Sequence, residues 1–390
     1  MKNNRENKSS KCPVSGKCGG CQLQNMTYNR QKAFKQASVV KLFAKYCHVA
    51  PIEGMENPYH YRNKVSAAFG TTRSGMIISG VYQSSTHNIV KVDSCLLEDE
   101  TADKIIVTIR QLLKDFRLTA YNEHTEKGFL RHVLIRRGFS TGEVMVVMVT
   151  STPVFPGKNH FIDKLVSIHP EITTIVQNIN NKFTSMVLGD AQKVLYGDGY
   201  IEDILCGKRF RISPKSFYQI NPVQTEKLYN CAINLAGLTG KETVIDAYCG
   251  IGTIGIAASE KAKTVIGTEL NKDAVKDAIV NAKINNIKNV RFFALDAGEF
   301  MQNLAADDEH IDVLFTDPPR AGCSREFLDA AIALSPEKIV YISCNIETQA
   351  RDVYHLVKHG YKVRACRPFD MFPHTRHIEN IILLTKEKEK

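Results

Sequence analysis

Beyond about residue 206, apolar runs of strand length alternate with amphipathic stretches of helix length, and this alternation restricts the chain more than any other feature. Strands are expected at 243–247, 264–268, 290–294, 312–316, 339–343 and 378–384, with helices at 272–285 and 325–334. A chain that alternates in this way forms a parallel, doubly wound sheet with helices over both faces. Ligands of such sheets sit at the carboxyl ends of the strands. The residues just after each apolar run are therefore the first place to look for chemistry.

Upstream the texture differs. Residues 61–149 are mostly strand-like, and Val144-Met-Val-Val-Met-Val149 is a continuous apolar run suited to a strand buried on both faces. Helical periodicity appears at 103–116, and 172–211 again reads as strand and turn. A basic amphipathic helix is expected at 28–46. Phe34, Val39, Leu42, Phe43 and Tyr46 share its apolar face, and Arg30, Lys32, Lys35 and Lys41 lie elsewhere. Three segments result: a basic, cysteine-bearing segment with its helix (1–50), a smaller β-rich α+β domain (51–205), and a doubly wound α/β domain (206–390).

The 390 residues allow two or three domains. With 43% hydrophobic and 24% charged residues, disorder and collagen-like structure are excluded. No apolar run approaches the roughly 18–20 residues of a membrane span, and the polar, basic first residues do not read as a secretory leader. The expectation is a cytoplasmic protein with no membrane partner and no obligate protein partner. Of the net charge of +10, residues 1–50 supply +9, from ten Lys or Arg against Glu6 alone. A basic arm on a nearly neutral body points to a polyanion such as nucleic acid.

The first strand of the alternating region runs into Asp246-Ala-Tyr-Cys-Gly-Ile-Gly-Thr-Ile-Gly255. Gly250, Gly252 and Gly255 satisfy the dinucleotide pattern, and Glu269 follows Gly250 by 19 residues, placed for a ribose hydroxyl pair. Nicotinamide chemistry is one reading. Two features favour S-adenosylmethionine instead. Asp246 precedes the glycines, where it can serve the ammonium group of the donor. The strand at 312–316 ends in Asp317-Pro318-Pro319-Arg320, a rigid shelf that neither strand nor helix can continue through. Such a shelf presents a planar base or amide to a methyl donor. Asp296, after the third strand, is placed for the adenine amine.

Cys344, in Ile-Ser343-Cys344-Asn345, sits at the carboxyl end of the fifth strand. Asn345 is suited to cap the following helix, and a helix N-terminus favours a thiolate. Glu379 interrupts apolar company before Ile381-Ile-Leu-Leu384, a setting that raises a carboxyl pKa and suits a proton acceptor. One reaction needs both groups. C5 of uracil is a poor nucleophile until a thiolate adds at C6, and a base must then remove the C5 proton.

Cys12-x5-Cys18-Gly-Gly-Cys21 gathers three thiols within ten residues. A fourth ligand comes from elsewhere, with Cys95 in Val92-Asp-Ser-Cys95-Leu as the choice and Cys47 as the reserve. Four thiolates accept zinc or a [4Fe–4S] cluster, and the spacing leaves both open.

Taken together, Cys12…Cys18-Gly-Gly-Cys21, Ser216-Phe-Tyr-Gln219-Ile-Asn221, Asp246-Ala-Tyr248, Asp317-Pro-Pro-Arg320, Ser343-Cys344-Asn345 and His377-Ile-Glu379-Asn resemble the RNA uracil-C5 methyltransferases. Within them, the chain resembles the branch that acts on 23S ribosomal RNA and carries an iron–sulfur cluster. The resemblance spans nearly the whole chain and implies a Rossmann-like S-adenosylmethionine-dependent catalytic domain. It also implies a [4Fe–4S] cluster on Cys12, Cys18, Cys21 and Cys95, Cys344 as nucleophile and Glu379 as base. Gln219, Tyr248, Gly250, Glu269 and Asp317 would hold the donor, with Asp296 as a further contact. Asp317 is thereby moved from the acceptor shelf to the donor, and a residue between the two serves both. Arg62, in Tyr61-Arg62-Asn63-Lys64, is expected at the uracil or a phosphate.

The chain departs from the family in two places. Only eleven residues precede Cys12, too few for the small RNA-binding barrel of many relatives, so RNA affinity is expected from the basic arm, the 28–46 helix and the central domain. Thr253 stands where some relatives have a donor-contacting asparagine. The competing expectations are a methyltransferase of the transfer RNA T-loop uridine and a redox-sensing iron–sulfur protein that binds RNA without methylating it.

Overall fold

The computed structural model describes residues 12–387 apart from 84, 85, 87, 185 and 308; the basic residues Lys2, Arg5, Lys8 and Lys11 of the expected arm lie outside the described residues. The chain forms two compact units. One comprises the residues up to Thr27 with Asn57–Asp203 and Ser213–Lys215; the other comprises Tyr28–Glu56, Ile204–Ile212 and the residues from Ser216 on. The segment expected as one block, 1–50, is therefore divided at residue 27, and its helix belongs to the catalytic unit. Among the described residues no helix is long and apolar enough to cross a membrane.

The catalytic unit is built on a seven-stranded sheet in the order Val290–Phe293, Thr264–Thr268, Thr243–Ala247, Val313–Thr316, Lys338–Ser343, Glu379–Lys386, Tyr361–Phe369. The first five strands are parallel, and Glu379–Lys386 runs antiparallel to both its neighbours. The strand order reverses between Thr243–Ala247 and Val313–Thr316, where a doubly wound sheet opens its ligand crevice. Ile245, Leu314, Tyr341 and Ile382 lie in the core, which also takes in Val39 and Phe43 from the helix Tyr28–Phe43. The edge strand Tyr361–Phe369 was not expected. Exposed Lys362, Arg364 and Arg367 break its apolar signal, and Pro368 is tolerated because the strand lies at the sheet edge.

The helix Tyr28–Phe43 is turned from the expected face. Its buried residues are Gln31, Lys35, Val39 and Phe43, at a spacing of four. Lys35, expected on the polar side, is fully buried and donates to Asp370 Oδ1 at 2.5 Å and to the Phe372 carbonyl at 3.1 Å. Gln31 lies 3.1 Å from His374 Nδ1 and accepts the His374 N–H at 2.8 Å. Phe34, expected on the apolar face, is 41% exposed. A buried amine is tolerated only with its counter-charge in place, and that counter-charge lies 335 residues away.

The other unit carries a second seven-stranded sheet, in the order Ile89–Lys91, Ile77–Tyr82, Lys64–Thr71, Leu130–Arg137, Val144–Thr150, Ile172–Ile179, Ala191–Tyr196. All its pairings are antiparallel except Val144–Thr150 with Ile172–Ile179, which the helix Lys158–Ile168 connects. Every residue of Val144–Thr150 is buried, as the apolar run requires. The helix Glu100–Asp115 starts from Asp99, whose side chain accepts the Ala102 N–H at 3.1 Å and pairs with Arg137 at 2.6 Å.

Candidate active site

The strand Thr243–Ala247 ends in a turn whose backbone needs unusual freedom. Tyr248, Gly250 and Gly252 have φ of +63°, +55° and +83°. A tyrosine in the left-handed region is uncommon and marks a strained, functional turn. Asp246 holds this turn from below: its Oδ2 accepts the Gly255 N–H at 2.7 Å, and its Oδ1 is buried with no partner. Burial, opposed by the Gly255 N–H and reinforced by Asp317 and Glu269, pushes the Asp246 carboxyl up to about 7. Asp246 does not line the cavity itself, so any service to the ammonium group of a donor runs through the backbone it holds or through water. Glu269 takes the Gly250 N–H at 3.1 Å and the Asn271 N–H at 2.8 Å, which ties the second strand end to the glycine turn. Asp296 caps the helix Ala297–Ala306 by accepting from Gly298 and Glu299.

Cys344 lies between the strand Lys338–Ser343 and the helix Ile346–Lys358. Asn345 caps that helix, accepting the Glu347 N–H at 3.1 Å, and donates through Nδ2 to the Arg320 carbonyl at 3.0 Å. Thr348 Oγ1 donates to the same carbonyl at 3.2 Å. The Asp317-Pro-Pro-Arg320 turn is thus stitched to the cysteine turn. In the antiparallel pairing Ser343 stands opposite Asn380, which brings Glu379 to the same end of the sheet as Cys344.

Gln219, Tyr248, Gly250, Glu269, Asp296, Asp317, Cys344 and Glu379 all line one cavity of about 660 Å³. Its electrostatics are those of crowded, desolvated acids. Burial raises the Asp317 carboxyl, and burial with the Asp317 charge raises Glu379 well above its ordinary value, opposed by Arg320. The Cys344 thiol is pushed up to about 11 by burial and by Glu379 and Asp317, again opposed by Arg320. This corrects the expected thiolate: burial and two acids outweigh the helix N-terminus. A cavity walled by acids, with an orphaned carboxylate oxygen beneath its glycine turn, suits a ligand that carries positive charge, as the sulfonium and ammonium groups of S-adenosylmethionine do.

Among the cavity residues that sequence reasoning did not single out are three aromatic ones. Tyr229 is buried in the helix Pro222–Ala236, and the Thr253 hydroxyl lies 3.4 Å from its own. No motif marks it. Phe217 and Phe372 also line the cavity, each two residues from a group that was singled out or contacted, Gln219 and Asp370.

In the other unit, Cys12, Cys18, Cys21 and Cys95 line a second cavity of about 120 Å³. Gly19, at φ +72°, turns the chain after Cys18, and the Cys95 N–H donates to Asp103 Oδ2 at 2.7 Å. Burial raises the Cys21 thiol to about 11 and the Cys95 thiol to about 12. Arg62, expected at the uracil or a phosphate, lines this same cavity, and its charge opposes both shifts. Cys47, the reserve ligand, instead packs against the core of the catalytic unit. Among the described residues no three Cys, His, Asp or Glu side chains converge closely enough to hold a single metal ion.

A doubly wound sheet with a glycine turn, a carboxylate after its second strand and an acid-walled cavity at its switch point defines an S-adenosylmethionine-dependent methyltransferase. Residues 170–387 match the family described as tRNA (Uracil-5-)-methyltransferase. An uncharacterised RNA methyltransferase of Clostridium acetobutylicum is 42% identical over 382 residues, covering 96% of this chain and 83% of that protein. One from Oceanobacillus iheyensis is 43% identical, covering 94% and 81%. The crystal structure of Pyrococcus abyssi tRNA (uracil-54, C5)-methyltransferase in complex with S-adenosyl-L-homocysteine superposes with a TM-score of 0.78 at 27% identity, covering 94% of this chain and 86% of that one. The chain belongs to the uracil-5 RNA methyltransferase family, whose members methylate RNA with S-adenosylmethionine.

Proposed function

We propose that this chain transfers a methyl group to C5 of a uridine in 23S ribosomal RNA, with Cys344 as nucleophile and Glu379 as proton acceptor. The observation that carries the reading is the meeting of a thiol and a buried carboxyl at adjacent strand ends, in the cavity that also contains the expected donor contacts. S-adenosylmethionine supplies the methyl group and leaves as S-adenosylhomocysteine. Gln219, Tyr248, Gly250, Glu269, Asp296 and Asp317 hold it, and Tyr229 closes the cavity wall. Cys344 adds to C6 of the uracil, which makes C5 nucleophilic enough to take the methyl group. Glu379 then removes the C5 proton, the C5=C6 bond re-forms, and the thiolate is expelled. Burial, with Asp317 adding to it, raises the Glu379 carboxyl, so that in its ionised form it is a stronger proton acceptor than an ordinary carboxylate. The target base must leave its stack to reach the thiol.

The four thiols of the other unit hold a [4Fe–4S] cluster on this reading. Support comes from their chemistry: four thiols around one cavity, with the Arg62 guanidinium beside them, suit a bulky anionic cluster with four thiolate ligands. This cavity favours 23S RNA as the target, because the ribosomal branch that the chain resembles carries such a cluster. The Pyrococcus abyssi neighbour favours a second target, the transfer RNA T-loop, since that enzyme is named for uracil-54 of tRNA.

The deciding experiment is methylation with labelled donor of unmodified 23S RNA and transfer RNA in parallel, with protein purified anaerobically. Label in 5-methyluridine of 23S RNA is the expected result. Label only in transfer RNA would keep the chemistry and replace the target. No label in either would remove naked RNA as the substrate, in favour of 23S RNA in an assembling large subunit or of an RNA-binding redox sensor.

A further inference from the structure

We infer that Phe34, with Arg320 and Arg376, forms an RNA-entry groove in which the Phe34 ring stacks on a base next to the uridine presented to Cys344; the inference rests on the function proposed above. Cys344 borders two hollows of the catalytic unit. One is the acid-walled donor cavity. The other is a groove of about 350 Å³ whose lining includes Phe34, Ser38, Arg320, Cys344, Arg376 and His377. Arg320, Cys344 and His377 belong to both. With the donor occupying the first, the second is the route by which a nucleotide reaches the thiol.

The chemistry of the groove matches a nucleotide strand. Its two arginines are exposed, suited to phosphates. Phe34 contributes a phenyl face that the helix could have buried. The helix buries Lys35 one position later instead, and leaves the ring 41% exposed. Arg30, Phe34 and Lys41 recur on the exposed side of the helix Tyr28–Phe43, spaced by four and seven residues, and exposed Lys45 continues the row just past its end. An aromatic ring set in a row of cations is the combination that binds single-stranded nucleic acid, bases on the ring and phosphates on the cations. The Lys35–Asp370 pair and the Gln31–His374 contacts lock the helix to the segment that leads into Glu379, so the ring is held at a fixed place relative to the base and the nucleophile.

The chain contains no tryptophan, so Phe34→Trp introduces a single reporter indole. Unmodified 23S RNA or transfer RNA, whichever the wild type methylates, should quench its emission. The control is Ile284→Trp, which ends the helix Lys272–Ile284 at the sheet edge away from the cavity, and its emission should not respond. Phe34→Ala should raise KM for that RNA roughly tenfold, the size expected for loss of one stacking contact, with donor affinity unchanged, and Phe34→Tyr should restore it. A wild type that methylates RNA, alongside a Phe34→Ala variant of unchanged KM and an indole indifferent to RNA, would overturn the groove alone. A wild type that methylates neither RNA would overturn the proposed function, and the groove with it.

Discussion

At Cys344 the structure sets a problem that the reaction has to solve. A thiol pushed up to about 11 is protonated at neutral pH, yet addition to C6 needs the thiolate. Burial raises it most, the acids Glu379 and Asp317 add to the rise, and Arg320 lowers it. Positive charge brought by the donor acts in the same direction as Arg320. Alkylation of Cys344 by iodoacetamide in the donor-free protein should therefore keep rising beyond pH 9. At pH 8 it should be roughly a hundredfold slower than for a thiol of ordinary pKa. Arg320→Ala should slow it further, and saturating S-adenosylmethionine should speed it. Peptide-resolved mass spectrometry separates Cys344 from the ten other cysteines. Cys344→Ala should abolish methyl transfer while donor binding persists. Glu379→Gln should accumulate a covalent protein–RNA adduct, seen as a gel shift that survives denaturation; normal turnover by that variant would remove Glu379 as the base.

These residues were legible because the chemistry of a doubly wound sheet collects at strand ends, and strand ends can be found from alternation alone. Glu269, Asp317, Cys344 and Glu379 line one cavity for that reason, whereas Gln219, named only through the family resemblance, lies in the turn before the helix Pro222–Ala236. Tyr229 was not legible: it stands in mid-helix among residues chosen for packing, and only the fold turns it toward the donor side. Asp246 was read as a ligand group because of its position before the glycines. One of its oxygens meets the Gly255 N–H, a local turn requirement that spacing does not reveal, and the other stays buried without a partner.

Among the elements, the helix Tyr28–Phe43 shows where periodicity misleads. Hydrophobic residues alone assigned its inner face, but a lysine and a glutamine occupy it because their partners, Asp370 and His374, arrive from the far end of the chain. Lys35→Met leaves Asp370 buried without its counter-charge and should cost about 3–5 kcal/mol in denaturant unfolding. Adding Asp370→Leu should return most of that stability, since an apolar pair of similar volume is well tolerated where both charges are removed. A loss that the second substitution leaves unchanged would mean that Lys35 acts through packing alone. The edge strand Tyr361–Phe369 escaped detection for a related reason. Its exposed face carries Lys362, Arg364 and Arg367, and part of its outer edge is covered by the residues at 49–53, which bridge Cys366 and Phe369.

At the scale of the whole molecule, each unit has its own sheet and its own functional cavity. On the proposed reading, Cys21→Ser should lower the iron bound per chain after anaerobic purification and lower the midpoint of thermal unfolding. Both follow from losing a ligand that ties the segment before residue 27 to the Cys95 loop. Iron content and melting temperature equal to the wild type would remove the cluster. The +10 charge predicts RNA binding that weakens steeply with salt, as counterion release requires.

Neither unit is a continuous stretch of chain: the polypeptide leaves the central unit at Tyr28, returns at Asn57, leaves again at Ile204, returns for Ser213–Lys215 and departs at Ser216. During synthesis at about 5–20 residues per second, the helix bearing Lys35 therefore emerges tens of seconds before Asp370, its partner 335 residues on. For that interval a nascent chain holds an unneutralised amine and an open sheet, since the strand Glu379–Lys386 is an inner one. The same late strand carries Glu379, the proposed proton acceptor. Competence thus waits for that strand, and a chain interrupted before it should be inert as well as unfinished.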